Sequence, residues 1–172
     1  MIEIDVADNW LSAEQAEEVF VKTRYAKGWH FGQRSVSNGL GFWMLDLDDD
    51  PLFTDTLLKQ IESDTGKKFE LSRVYANGQT TGLCGSLHQD VVDAPVGKYY
   101  TVIYYANKIW NPVWGGNTVW YNKDNVEIRQ QYPTPNTAVM FDSTILHAGM
   151  EPSRHCTELR VTVAWKLKVA EA

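Results

Sequence analysis

From Gly66 to the C-terminus no stretch of this chain sustains a long helical period, and that confines its fold more than any other feature. In place of apolar residues at every third or fourth position stand short β-branched and aromatic runs: Phe69 to Ala76, Tyr99 to Tyr105, Thr118 to Tyr121, Ala138 to Phe141 and Leu159 to Leu167. Turn residues separate them, including Gly78, Gly82, Gly85 and the pair Gly115-Gly116. Helical signals are confined to the first third. Ser12 and Gln15 can form a capping box, Val19 and Phe20 with Ala13, Ala16 and Thr23 make an apolar stripe, and Gly28 stops a helix spanning Ser12 to Lys27. A second helix follows the acidic turn Asp48 to Asp50, with Pro51 at its first position, Leu57, Leu58 and Ile61 along one side, and Gly66 at its end. Between the helices, Trp29 to Gln33 and Phe42 to Asp46 read as strands. Two helices feeding seven or eight strands predict a mainly β protein, a double-stranded β-helix (jelly roll) with the helices packed on one sheet.

The chain has 172 residues, enough for one domain with a sizeable core, and no segment has linker composition, so residues 1–172 read as a single domain. A net charge of -6 gives no general attraction to a phosphate backbone, and no basic patch stands out, so no nucleic-acid partner is expected. Met1 to Asn9 carry acids rather than a positive leader, and no apolar run approaches the ~20 residues that span a bilayer. No membrane partner is expected, and a soluble cytoplasmic protein is. Only Cys84 and Cys156 are present, too few for a disulfide framework. Asp46, Asp48, Asp49 and Asp50 lack the glycine and terminal glutamate of a calcium loop and read as a solvated turn before a helix.

The chemistry concentrates at His88-Gln89-Asp90. In extended backbone, residues i and i+2 face the same way, so His88 and Asp90 can offer an imidazole nitrogen and a carboxylate oxygen to one point. On its own such a pair is weak evidence. A third ligand from a distant strand, His147, would complete a set of two histidines and one carboxylate on one face of an octahedral ion, the arrangement that suits non-haem Fe(II) binding a cosubstrate and dioxygen together. His30 and His155 have no carboxylate two positions away and read as ordinary strand and loop residues.

The order of these motifs resembles the Fe(II) and 2-oxoglutarate dependent dioxygenases, and within them the prolyl 4-hydroxylase-like branch. The stretch Arg73-Val-Tyr-Ala-Asn-Gly, then Gly82, Gly85 and His88-Gln-Asp90, is similar to the strand, loop and iron motif of that branch. Thr101-Val-Ile-Tyr-Tyr-Ala-Asn-Lys108, with Trp110 and Gly115-Gly116, resembles the core strands of the hypoxia-sensing prolyl hydroxylases, and Asn9-Trp-Leu-Ser-Ala-Glu-Gln-Ala the opening helix of the prolyl 4-hydroxylases. The resemblance implies His88, Asp90 and His147 as iron ligands and catalytic residues. It implies Arg160 as the cation that grips the far carboxylate of 2-oxoglutarate, with Thr162 beside it on the same strand face, Tyr105 donating to that carboxylate and Tyr75 near the iron-bound end. It places Trp165 beside the substrate cleft. Arg154 competes for the anion role, but it lies in a turn with Pro152 and Ser153, whereas Arg160 sits in a β pattern that fixes its direction.

What the resemblance implies is an oxidoreductase that hydroxylates an unactivated C–H bond, with Fe(II) as metal, 2-oxoglutarate as cosubstrate and ascorbate as a reductant. Its partners would be dioxygen and a peptide or small-molecule substrate, a peptidyl proline first. The loops Thr80 to Cys84 and Asp93 to Lys98 are the natural lids. Two other readings stay open: a dioxygenase acting on a free amino acid or small metabolite, and a non-catalytic jelly roll that binds a metal or carbohydrate.

Overall fold

The computed structural model describes residues 4–171, so Met1 to Glu3 of the acidic opening lie outside the described residues. Its elements run β1 (Ile4–Asp8), α1 (Ala13–Arg24), β2 (His30–Gln33), β3 (Phe42–Asp46), α2 (Leu57–Thr65), β4 (Phe69–Gln79), β5 (Tyr99–Tyr105), β6 (Thr118–Tyr121), β7 (Glu127–Gln131), β8 (Thr137–Asp142), β9 (Leu146–Gly149) and β10 (Arg160–Val169). Seven strands form an antiparallel sheet in the order β1-β8-β5-β10-β4-β3-β2, and three form a smaller one, β7-β6-β9. This is the jelly roll expected from the strand spacing.

Helix α1 begins where its chemistry dictates. The Ser12 hydroxyl accepts from Gln15 N–H and the Gln15 side chain accepts from Ser12 N–H, closing the capping box. It ends at Arg24 rather than Lys27, because the Trp29 indole donates to the Thr23 carbonyl and takes over its helical bond. Ala13, expected in the buried stripe, is exposed. The second helix opens as a wide π turn over Leu52–Thr56, which the sequence did not predict. There Leu57 N–H donates to the Leu52 carbonyl, five residues back, which leaves the Phe53 carbonyl free to accept the Trp165 indole at 2.9 Å. Gly66 closes the helix at φ 65°, where a left-handed residue is required.

Both helices lie against one face of the larger sheet. Val19, Leu57 and Ile61 join Val74, Ala76, Tyr104, Val163 and Trp165 in one core, while Ile103, Tyr105, Trp120, Val139 and Phe141 fill the space between the two sheets. Alternation along β10 divides its residues accordingly: Val161, Val163 and Trp165 face the helices, and Arg160, Thr162, Ala164 and Lys166 face the inter-sheet side. Strands β1, β7 and β9 were not read from the sequence. Strand β7 is a polar edge strand with exposed residues from Glu127 to Gln130, so no apolar alternation marks it.

Candidate metal centre and its cavity

His88 and Asp90 do not lie in a regular strand. They belong to the long segment between β4 and β5, which is held extended by backbone bonds to the edge of β9 and to the turn before it: Gly85 N–H to the Gly149 carbonyl, His88 and His147 exchanging both bonds at 3.0 and 2.9 Å, and Asp90 N–H to the Ser143 carbonyl. Directly opposed antiparallel residues share a face, so the two imidazoles meet with ring centroids 4.3 Å apart. His88 Nδ1 lies 2.8 Å from the Ser86 carbonyl and His147 Nδ1 2.9 Å from the Ile145 carbonyl. A carbonyl only accepts, so each Nδ1 carries the proton and each Nε2 presents a lone pair inward. Asp90 Oδ1 lies 3.3 Å from His88 Nε2, and Oδ2 lies 3.5 Å from His147 Nε2. The three groups hold their ligand atoms within 4.8 Å of one another.

Protonation states suit a cation. Burial pushes the His147 imidazole down to about 4 against the opposing pull of Asp90, so it is neutral near pH 7. Burial alone would raise the Asp90 carboxyl, but the Lys166 ammonium outweighs it and holds the group well below the usual carboxylate range. Two neutral imidazoles and one ionised carboxylate are the donors a ferrous ion takes, with the rest of its coordination sphere open. Asp90 Oδ2 also accepts from Thr101 Oγ1 at 2.6 Å and from Lys166 Nζ. Neither partner was foreseen. The spacing of Lys166 from Arg160 gives it the same strand face but says nothing of Asp90, and Thr101 carried no signal.

The three groups open into a cavity of about 390 Å³. One wall is the inner face of β4, with Arg73, Tyr75, Asn77 and Gln79, and β10 continues it with Arg160, Thr162, Ala164 and Lys166. At one end lies Arg160, 1% exposed. It donates through Nε to the Gly116 carbonyl at 2.6 Å, through one terminal nitrogen to Gln79 Oε1 at 2.7 Å and through the other to Thr118 Oγ1 at 3.1 Å. Burial lowers the pKa of this guanidinium, yet Arg stays charged in proteins, and it forms no ion pair among the described residues. Of its five N–H donors, three are used. Gly116 is required for this approach: its φ is 78°, and a Cβ there would lie 3.1 Å from Arg160 Cδ. Asn77 Oδ1 is buried without a hydrogen-bond partner. A buried guanidinium without a carboxylate partner, in one cavity with the cluster, fits an anionic organic ligand beside the ion.

The other expected residues fall as follows. Thr162 lies in the cavity wall, and Tyr75 lines it from β4. Tyr105 packs behind the wall in the inter-sheet core, its hydroxyl donating to Thr118 at 2.8 Å, so it touches the Arg160 network through Thr118. Arg154 is exposed and does not line the cavity. Trp165 is not beside the cleft: fully buried on the helix side, it packs against Phe53 and Trp10, because Val161, Val163 and Trp165 of β10 face away from the ligand cavity. Of the expected lids, Val96 and Gly97 border a separate hollow of about 880 Å³ that includes none of His88, Asp90, His147 or Arg160. Gln79 Nε2 donates to the Leu83 carbonyl and so ties the Thr80 to Cys84 loop to the cavity wall. Asp48 and Asp50 serve the fold, accepting from Val74 N–H and Leu52 N–H.

A family model, that of the 2OG-Fe(II) oxygenase superfamily, matches residues 73–165. Solved structures of similar fold include a prolyl hydroxylase in complex with a hypoxia inducible factor oxygen degradation domain peptide fragment from Trichoplax adhaerens (16% identity, TM-score 0.73, covering 96% of this chain and 83% of that one). A prolyl-4-hydroxylase from Pseudomonas putida (16%, 0.72, 98% and 93%) and the viral collagen prolyl hydroxylase of Paramecium Bursaria Chlorella virus-1 (14%, 0.61, 97% and 96%) share the fold as well. No curated protein matches the chain in sequence. Among the described residues no helix is long and apolar enough to cross a membrane.

Proposed function

The chain belongs to the 2OG-Fe(II) oxygenase superfamily, and from that premise we propose that it hydroxylates an unactivated C–H bond of a prolyl substrate, residues 1–172 forming the catalytic domain. His88, Asp90 and His147 hold the iron. Arg160 holds the far carboxylate of 2-oxoglutarate through its two unused N–H groups, a pairing that its planar fork favours. Thr162 and Tyr75 line the path between the two, and Tyr105 steadies Thr118 under the guanidinium. Bound there, ferrous iron with 2-oxoglutarate and dioxygen supplies the oxidising power for C–H hydroxylation, the cosubstrate leaving as succinate and carbon dioxide.

The chain's own groups do the rest. The two Nδ1–H bonds fix the imidazole tautomers, so both Nε2 atoms face the ion without a proton to lose. Thr101 holds the Asp90 carboxylate in place. Gln79, Gly116 and Thr118 aim Arg160 before any ligand arrives, which lowers the ordering cost of binding. The prolyl substrate is supported by fold neighbours, one of which was solved with a peptide bound.

The observation that carries the reading is the convergence, in one cavity, of a His-Asp-His cluster with a buried guanidinium that lacks a carboxylate. A carbohydrate- or metal-binding jelly roll has no use for that guanidinium. The test is anaerobic addition of Fe(II) and 2-oxoglutarate, which should give the weak visible absorption of the chelate, followed by aerobic succinate release over proline-containing peptides and free amino acids. Absence of the absorption, with unchanged 2-oxoglutarate affinity in Arg160→Ala, ends the proposal.

A further inference from the structure

The chain is acidic, with a net charge of -6, but its ligand cavity is not. Arg34, Arg73, Arg160 and Lys166 line it, and Asp90 is the single carboxylate among the lining residues. On the proposed function, one cosubstrate carboxylate answers Arg160 and the other the ion. The opposite end of the cavity keeps its excess of positive charge.

That end is built in an unusual way. Lys166 and Arg73 are direct cross-strand partners on β10 and β4, both facing the cavity. Like charges opposed on a sheet face destabilise it, and here the pair shares the Tyr75 ring, with Arg73 Cζ 4.7 Å and Lys166 Nζ 5.8 Å from its centroid. Arg73 forms no ion pair among the described residues, and its one hydrogen bond goes to Met44 Sδ, a weak acceptor. Lys166 shares its one carboxylate: the Asp90 oxygen it touches also accepts from Thr101 and faces His147, and its remaining partners are the neutral hydroxyls of Tyr75 and Thr101. An ion drawn to the His-Asp-His cluster takes part of that negative charge. Arg160 cannot serve this end, since six residues of extended strand, about 20 Å, separate it from Lys166.

We propose that the substrate carries a carboxylate, gripped by Arg73 and Lys166 at the end of the cavity opposite Arg160, so that the enzyme selects acidic substrates. The proposal rests on the oxygenase reading above and names the substrate class of that same cavity. The carboxylate has two sources in prolyl chemistry: the α-carboxylate of a free or C-terminal proline, or an acidic side chain next to an internal one. Arg34, exposed at the cavity rim with its side chain bonded only to the Gly39 carbonyl, supplies attraction on approach.

The test uses the protein loaded with Fe(II) and 2-oxoglutarate under argon, with binding read by titration calorimetry. N-acetyl-L-proline is compared with its amide, and acetyl-Pro-Asp-amide with acetyl-Pro-Asn-amide. At least one acid should bind tenfold or more tighter than its neutral twin. Arg73→Gln should erase that preference and Arg73→Lys restore part of it. Which pair responds identifies the source of the carboxylate. Equal affinities within both pairs, no binding of either acid at millimolar concentration, or a preference that survives Arg73→Gln overturns the proposal. Failure of the oxygenase reading shows separately, as acid-selective binding without succinate release from any substrate.

Discussion

Replacing Arg160 by methionine separates what this residue does for the cosubstrate from what it does for the fold. The side chain is 1% exposed and fills the end of the cavity, so a long apolar replacement keeps most of its volume. Removing a buried, hydrogen-bonded partner of a ligand carboxylate costs about 2–5 kcal/mol of binding. At 1.4 kcal/mol per decade that is a loss of roughly 30-fold to a few thousand-fold in 2-oxoglutarate affinity. The stability of the ligand-free protein moves much less, because two effects oppose. The Gly116 carbonyl and Gln79 Oε1 lose their donor, at about 1–3 kcal/mol each. The desolvation of an unpaired guanidinium, several kcal/mol, disappears with the charge. A net change within ~2 kcal/mol is expected, or a Tm shift within ~8 °C for a chain of this size. The assay pairs thermal melting of the metal-free protein with calorimetric titration of 2-oxoglutarate. An affinity within threefold of the parent, or a stability loss beyond ~4 kcal/mol with binding retained, would refute the assignment of Arg160 as an anion anchor.

Thr101→Val removes the hydroxyl that orients Asp90 while keeping the side chain's shape in a fully buried site; metal affinity, read by Fe(II) or Mn(II) titration, should fall about 10- to 100-fold with Tm nearly constant. Trp165→Ala should do the reverse, costing about 3–5 kcal/mol in thermal or urea unfolding through the cavity left between Phe53 and Trp10, while the folded variant binds metal as the parent does. In the metal-free protein His147 should titrate at about 4 by NMR, because burial disfavours its charged form. The unfolded chain takes up that proton near the ordinary 6.5, so stability is unaffected above that pH and declines as pH falls from 6.5 toward 4, by about 3 kcal/mol at most; His147→Gln should lack this component of the acid unfolding curve.

Much of this protein was legible because its determinants are local or periodic. The capping box of α1 needs only Ser12 and Gln15 at the right spacing, and the bounds of β3, β5 and β6 follow from apolar and aromatic runs that no helix can use. The ligand set His88, Asp90 and His147 could be named because the chemistry of a cation fixes the residue types and extended backbone fixes the i, i+2 pair. Where local signals misled, a distant partner had intervened. The Trp29 indole shortened α1, and Trp165 drew on the carbonyl that the π turn at Leu57 leaves free. Trp165, which the resemblance placed beside the cleft, lies on the opposite face of β10.

Tertiary structure alone decided how the charges are shared. No spacing rule foretells that Lys166 meets Asp90, that it lies opposite Arg73 across the β4–β10 ladder, or that Thr101 completes the carboxylate's environment. Those pairings depend on strand register and on which sheet edge the segment around His88 joins, both set by packing between residues more than fifty positions apart. The sequence by itself determined the apolar strands of the core, the helix start and the kinds of atoms offered to a metal. Folding determined which charges stand together in the dry interior, where they weigh most.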